Sequence, residues 1–175
     1  EGNMRIGIVV DSACDLPKAF IEENNIVVMP ISVRVGEHLF VDRRDPEETW
    51  SFYASHLDTR TEDHAESIPW SQQQIEDLFL DKLVLEYDHV FCLTITSARS
   101  LIYDHANKAS LNIVSRYKER RRLAGVPGPF SVAVINTRTM FTGQGVQAAE
   151  VVRLIREGGT PSQIGARIRQ LTEET

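Results

Sequence analysis

Three short apolar runs, "RIGIVV" (residues 5–10), "HVFCLTIT" (residues 89–96) and "FSVAVIN" (residues 130–136), each lead through a few polar residues into a segment with helical periodicity. This alternation limits the fold more than any other feature. The runs are rich in β-branched residues and too short for buried helices, so they read as strands covered on both faces. Strands that follow one another through helices lie parallel and cross over right-handedly. The predicted class is α/β: a mainly parallel sheet flanked by helices on both faces. Ligands bind such sheets beyond the carboxyl ends of the strands. That singles out three junctions: Asp11 with Ser12, residues 96–100, and residues 136–145.

The intervening segments complete the pattern. Residues 16–25 read as a short helix, with Asp15 as its cap and Pro17 in its first turn. "IVVMPISVRV" reads as one strand entering a hairpin-like excursion through Gly36 and Glu37, and Asp45, Pro46 and Glu48 start another helix. Residues 58–66 carry nothing apolar larger than Ala and read as an exposed loop. Ser71 and Gln74 form a capping box ahead of a stripe of Ile75, Leu78, Phe79, Lys82 and Leu83. Residues 97–122 read as one long helix whose basic end, "KERRR", offsets the helix dipole. A helix stopped by glycine follows the third strand, and Thr160 with Gln163 caps a last one.

Several chemistries are declined. A net charge of −6 argues against nucleic acid as a partner, because phosphate binding needs a basic face. Apolar runs are too short to span a membrane, so no stable membrane insertion is expected. The two cysteines, Cys14 and Cys92, lack CxxC spacing and suggest a reducing, cytoplasmic setting. The histidines show no metal-ligand spacing, so no metal is expected, and there is no phosphate loop. Asp11 sits where an aspartate nucleophile would, but the partner acid such chemistry needs is replaced by Ala13. Gly143, Gly145 and Ala148 match a loose dinucleotide fingerprint in the wrong context; a helix entry needing positive φ or close packing explains them better. No cofactor is implied. What remains is hydroxyls at junctions, which are caps first, and which together with free N–H groups make an anion site.

"DSACDLP", "IVVMPISVRVGEHLFVD", "SIP", "ITSARS" with Tyr103 and Ala106, "VINTRT", "GQG" and "EGGTPSQI" fall in an order that resembles the DegV family, bacterial proteins that bind fatty acids. The resemblance covers residues 4–175 and implies the family's N-terminal domain, a Rossmann-like α/β unit; the second, C-terminal domain is expected to be absent from this chain. It implies a long-chain fatty acid ligand in an apolar tunnel, no catalysis by the chain itself, and an ATP-dependent fatty-acid kinase as partner. Carried over by position, Ser67, Ser100 and Ser97 are the carboxylate-binding residues, supported by Asp11, Ser12, Glu66, Leu101, Ile102 and Thr137. Glu66 stands where the family's loop has Thr, and Leu101 with Ile102 where it has Gly-Thr. An ionised Glu66 facing the ligand would oppose a carboxylate by about 1 kcal/mol or more at a few ångströms. Two other readings stay open. One is a stand-alone enzyme on a phosphorylated or carboxylated metabolite, with Asp11 and Glu66 as acid and base. The other is an interaction domain with a degenerate pocket.

Overall fold

A computed structural model of the protein describes residues 4–11, 16–29, 31–35, 37–42, 47, 65–94, 101–138 and 142–173. In chain order the elements are β1 (Ile6–Asp11), α1 (Lys18–Glu23), β2 (Val27–Met29), β3 (Ile31–Val35), β4 (His38–Asp42), β5 (Ala65–Ile68), α2 (Gln72–Leu78), β6 (His89–Thr94), α3 (Ile102–Asn112), α4 (Tyr117–Ala124), β7 (Ser131–Asn136), α5 (Thr142–Arg156) and α6 (Pro161–Glu173). The expected parallel sheet is present, with strand order β2-β1-β6-β7. The chain steps from β1 to β2 on one side and returns to β6 on the other, so the topological switch lies between β1 and β6.

Alternation along the strands divides the core in two. Val9, Val90 and Cys92 pack with Ile75, Phe79, Leu83, Ile102 and Ala106 on the face covered by α2 and α3. Ile8, Val10, Phe91 and Leu93 pack with Ala148, Val151, Ile164 and Ile168 on the face covered by α5 and α6. Each such side chain contributes about 1.5–3 kcal/mol on burial, which is why the apolar runs show no polar alternation. Both capping boxes form as expected: Ser71 with Gln74, and Thr160 with Gln163.

The structure corrects several expectations. "IVVMPISVRV" is two strands in two sheets: β2 belongs to the parallel sheet, whereas β3 is the centre of an antiparallel sheet ordered β4-β3-β5. Pro30 falls between them and has no N–H to carry a ladder through. Ala65 and Glu66 belong to β5 rather than to a loop, because β3 supplies their backbone partners. The long helix breaks at a 3₁₀ turn, Ile113–Ser115, where two β-branched residues in succession disfavour an α-helix. After α2 the helix widens into a π turn, Phe79–Leu83, before ending as Val84–Glu86. The wider turn brings Leu80, Leu83 and Val84 inward and leaves Lys82 in solvent. Pro17 precedes α1 without a side-chain cap; Asp15, residues 58–64 and all of the expected helix at residues 45–48 except Glu47 lie outside the described residues. Gly143 and Gly145 sit in the first turns of α5, with Gly145 buried, and the positive φ angles recorded for glycines belong to Gly125, Gly128 and Gly158.

Candidate functional site at the carboxyl ends of the parallel strands

Buried polar groups collect where β1, β6 and β7 end. Asp11 closes β1 with no exposed surface, and Thr94 and Thr137 are equally buried at the ends of β6 and just beyond β7. The Thr94 hydroxyl donates to the Ile135 carbonyl at 3.0 Å, and the Thr137 hydroxyl donates to the Thr94 carbonyl at 2.7 Å. The Thr137 N–H donates to the same carbonyl at 3.1 Å. The two strand ends are thus stitched together by hydroxyls that reach across the ladder. From α5, the Gln147 amide nitrogen donates to the Thr137 carbonyl at 3.1 Å, fixing the helix against the strand end. Arg138 adopts a left-handed backbone at φ 58°, with its N–H on the Asn136 side-chain oxygen at 2.9 Å. That turn redirects the chain away from β7.

Helices α3 and α5 follow β6 and β7, so both helices present their N-terminal ends on this side of the sheet. An N-terminus carries unsatisfied N–H groups and about half a positive charge, which suits an anionic head group. At the start of α3, Leu101 occupies the cap position without a side-chain cap. Leu101 and, in α5, Val146 are each 58% exposed. Cys92 lies one pleat behind this end. Burial and then the charge of Asp11 push its thiol far above its ordinary pKa, so it stays protonated and is no nucleophile.

The expected site residues separate into three groups. Asp11 and Thr137 are where the sequence placed them, at strand ends, and buried. Leu101 and Ile102 straddle the start of α3; Ile102 is a core residue packed with Ala106 and Phe79, so its contribution is packing. Ser67 and Glu66 are in β5, opposite Val33 and Arg34, rather than in a loop. Ser12, Ser97 and Ser100 lie outside the described residues. Sequence reasoning missed Thr94 as a fastener and Gln147 altogether. The signal for both was present: one polar residue closing an apolar strand, and one amide beside the apolar stripe of α5.

The opposite end of the sheet is built differently. Arg121, in the "KERRR" run, is 2% exposed. All five of its N–H groups are used: on the carbonyls of Gly128 at 3.0 Å, Val84 at 2.8 Å, Tyr87 at 2.9 Å and Pro127 at 2.7 Å, and on Asp88 at 3.0 Å. The dipole reading of that run therefore holds only in sign; Arg121 is a buried tie, while Arg120 pairs with Asp81 and Arg122 with Glu119. Arg5 adds its backbone N–H and its guanidinium to Asp88. Burial alone would raise the Asp88 carboxyl, but these hydrogen bonds outweigh it and the pKa falls below its usual value. Among the described residues, no group of three or more metal-ligating side chains forms and no helix is long and apolar enough to cross a membrane.

Comparison with known proteins places the whole chain. Residues 5–175 match the sequence profile described as "Uncharacterised protein, DegV family". A DegV domain-containing protein of Xanthomonas campestris pv. campestris is 53% identical over 172 residues, spanning 98% of this chain and 54% of that protein. One from Staphylococcus aureus is 26% identical, spanning 95% of this chain and 52% of that protein. This chain therefore spans about half the length of the curated relatives it matches. Among solved structures, a DegV lipid binding protein of Thermotoga maritima superposes with a TM-score of 0.78 at 22% identity, covering 98% of this chain and 55% of that one. DegV of Bacillus subtilis, described as a fatty acid binding protein, gives 0.75 at 19%, covering 98% and 55%. At these identities the likeness is one of fold.

Proposed function

The chain belongs to the DegV family, and on that premise we propose that it binds a long-chain fatty acid with the carboxylate at the carboxyl end of the parallel sheet. One observation carries the reading: the N-terminus of α3, where Leu101 brings no side-chain cap, lies on the same side of the sheet as the stitched ends of β6 and β7. A head group with negative charge suits the helix end. The fatty-acid-binding descriptions of the Bacillus subtilis and Thermus thermophilus structures support the same ligand class. In this reading Ser67, Ser97 and Ser100 hold the carboxylate, and Asp11, Ser12 and Thr137 shape the floor. Register sets Glu66, the acid that replaces the family's Thr, opposite Arg34 in the ladder. The chain performs no chemistry of its own; it presents the acyl group to an ATP-dependent fatty-acid kinase in the cytoplasm.

The test is mass spectrometry of lipid extracted from the purified chain, paired with thermal shift on added palmitate or oleate. C14–C18 acids in the extract and a raised melting temperature are expected, because a ligand specific for the folded state stabilises it. Ser100→Ala and Ser67→Ala should each lower retained acid several-fold. A chain that extracts clean and does not respond to either acid overturns the reading.

A further inference from the structure

His105 lies in the first turn of α3, and its ring reaches the stretch that leads from β5 into α2. Nδ1 stands 2.7 Å from the Trp70 carbonyl oxygen, in a partly buried contact between residues 35 apart in sequence. A carbonyl can only accept, so Nδ1 carries the proton and donates it. The acceptor is main chain, so the bond holds the backbone at position 70 whatever side chain stands there.

Both ends of this bond are anchored. The His105 N–H donates to the Leu101 carbonyl at 3.0 Å, closing the first turn of α3, and Ala106 beside it is a core residue. Trp70 packs against the same core. Ser71 follows directly and fixes the start of α2 through its capping box with Gln74. On the other side, Ser67 and Ile68 are paired in the ladder with Val33 and Ser32. α2 and α3 themselves meet through apolar side chains, Ile75 packing in one cluster with Ile102, Ala106 and Ala109. Such packing favours closeness without setting a direction, whereas a hydrogen bond sets both a distance and an angle.

We infer that His105 is a positioning residue for the head group of the ligand. It fixes the spacing between the stretch after Ser67 and the N-terminal end of α3, the two features at which the carboxylate is proposed to sit. It acts through the Trp70 carbonyl rather than on the ligand, and the inference rests on the fatty-acid reading above. The effect works through populations. A site made from two segments binds fully only in the fraction of molecules where both are in place, and the apparent dissociation constant rises as that fraction falls. One ordinary hydrogen bond shifts such an equilibrium by about five-fold.

Equilibrium binding of labelled palmitate to the purified chain, to His105→Leu and to His105→Asn tests this. Leucine keeps bulk and removes the donor; asparagine places an amide N–H close to where the Nδ1 proton stands. The leucine variant is expected to bind about five-fold more weakly, and the asparagine variant to recover most of that loss. His105→Ala takes the place of the leucine variant if that one does not fold. Hydrogen exchange separates positioning from stability alone. In the ligand-free leucine variant the amides of Ile68, Trp70 and Ser71 should exchange faster than in the parent. Saturating palmitate should slow them again, because ligand and bond select the same arrangement. A leucine variant that melts earlier yet binds palmitate like the parent overturns the inference, as does an asparagine variant no tighter than the leucine one. Both of those results leave the fatty-acid reading standing. A parent chain that binds no palmitate overturns the two together.

Discussion

At the amino end of the parallel sheet a guanidinium is buried with all five of its hydrogens spent on protein oxygens. At the carboxyl end the buried polar groups among the described residues are two hydroxyls, an amide and one acid, and Leu101 gives the helix starting at Ile102 no side-chain cap. The difference follows from chain direction. In a parallel α/β sheet the helices run back against the strands, so helix C-termini gather at one end and N-termini at the other. C-termini offer unpaired carbonyls and partial negative charge. Here Val84, at the end of the helix that begins at Gln72, meets a cation supplied from within the chain. N-termini offer the opposite sign, and Leu101 brings no side-chain cap there. One end is closed by its own sequence, and the other is where the ligand is proposed to bind.

The most forceful way to break this comparison is Arg121→Met. It fills the space but strands four carbonyls and Asp88, and breaking a buried pair this way costs about 3–5 kcal/mol. Urea unfolding should show that loss. Arg121→Lys should recover little of it, since a lysine has three donors and no planar fork to match five acceptors. Fatty acid retained per folded molecule should be unchanged in both, because the amino end is a lock and not a site. A retained-ligand deficit as large as the stability deficit would merge the two ends into one unit.

Gly7→Ala probes the same end from β1. A Cβ there would lie 2.7 Å from the Tyr87 ring, closer than carbon atoms pack. Overpacking of this kind costs about 1–3 kcal/mol. In a Tyr87→Ala background the penalty should nearly vanish, so the double-mutant cycle reports coupling between the two positions. An additive result would mean that the backbone, rather than the ring, limits position 7.

How much of this was legible beforehand depends on the range of the interactions. β6 was visible as a run because burial on both faces leaves a local mark at each residue, and β7 as a short run rich in β-branched residues. The capping boxes are local too, and both are found. Arg121 was not legible: it sits among exposed basic residues, and its acceptors come from residues 33 to 37 positions away as well as from its own loop. The antiparallel sheet was half hidden, since "AESI" has little strand character of its own and is held by the ladder to Ile31–Val35. At the candidate site, sequence located the junction hydroxyls but not their bonds. Thr94 and Thr137 are joined across 43 residues of sequence. Glu66 was read as a loop residue because nothing nearby in sequence announces that Arg34 is its opposite number.

The carboxyl end can be sharpened by a substitution whose two effects have opposite sign. Leu101 is the uncapped N-cap of the helix at Ile102–Asn112, and it is exposed. Leu101→Asp supplies a cap oxygen and a negative charge at the positive end of the helix, worth about 1 kcal/mol of added stability. The same charge stands where the ligand carboxylate is proposed to bind, so retained fatty acid should fall several-fold. Leu101→Ser caps without charge and should raise stability while sparing retention. A protein that gains stability and keeps its ligand in the aspartate variant would place the head group elsewhere.

Acid gives the smallest effect and still separates local braces from the rest. Hydrogen bonds from Arg153 hold the Glu150 carboxyl at about 2, with burial opposing and Arg167 assisting. Asp88 is also shifted downward. A carboxyl whose folded pKa lies below its unfolded value binds fewer protons folded than unfolded, so acid favours unfolding. For Glu150 the contribution is complete above its ordinary value of 4.5 and is lost as pH falls toward about 2. Its arginine partners are 52% and 38% exposed, so solvent screening limits the contribution to about 1 kcal/mol or less. Glu150→Gln should therefore lower the urea midpoint slightly at pH 7 and converge on the parent as pH approaches 2. Asp88→Asn should flatten the acid limb as well, and cost more at neutral pH, because its loss deprives buried Arg121 of its only carboxylate among the described contacts. If both variants unfold with the parent's pH profile, the acid sensitivity belongs to other carboxylates and the amino end is held by Arg121's carbonyl bonds alone.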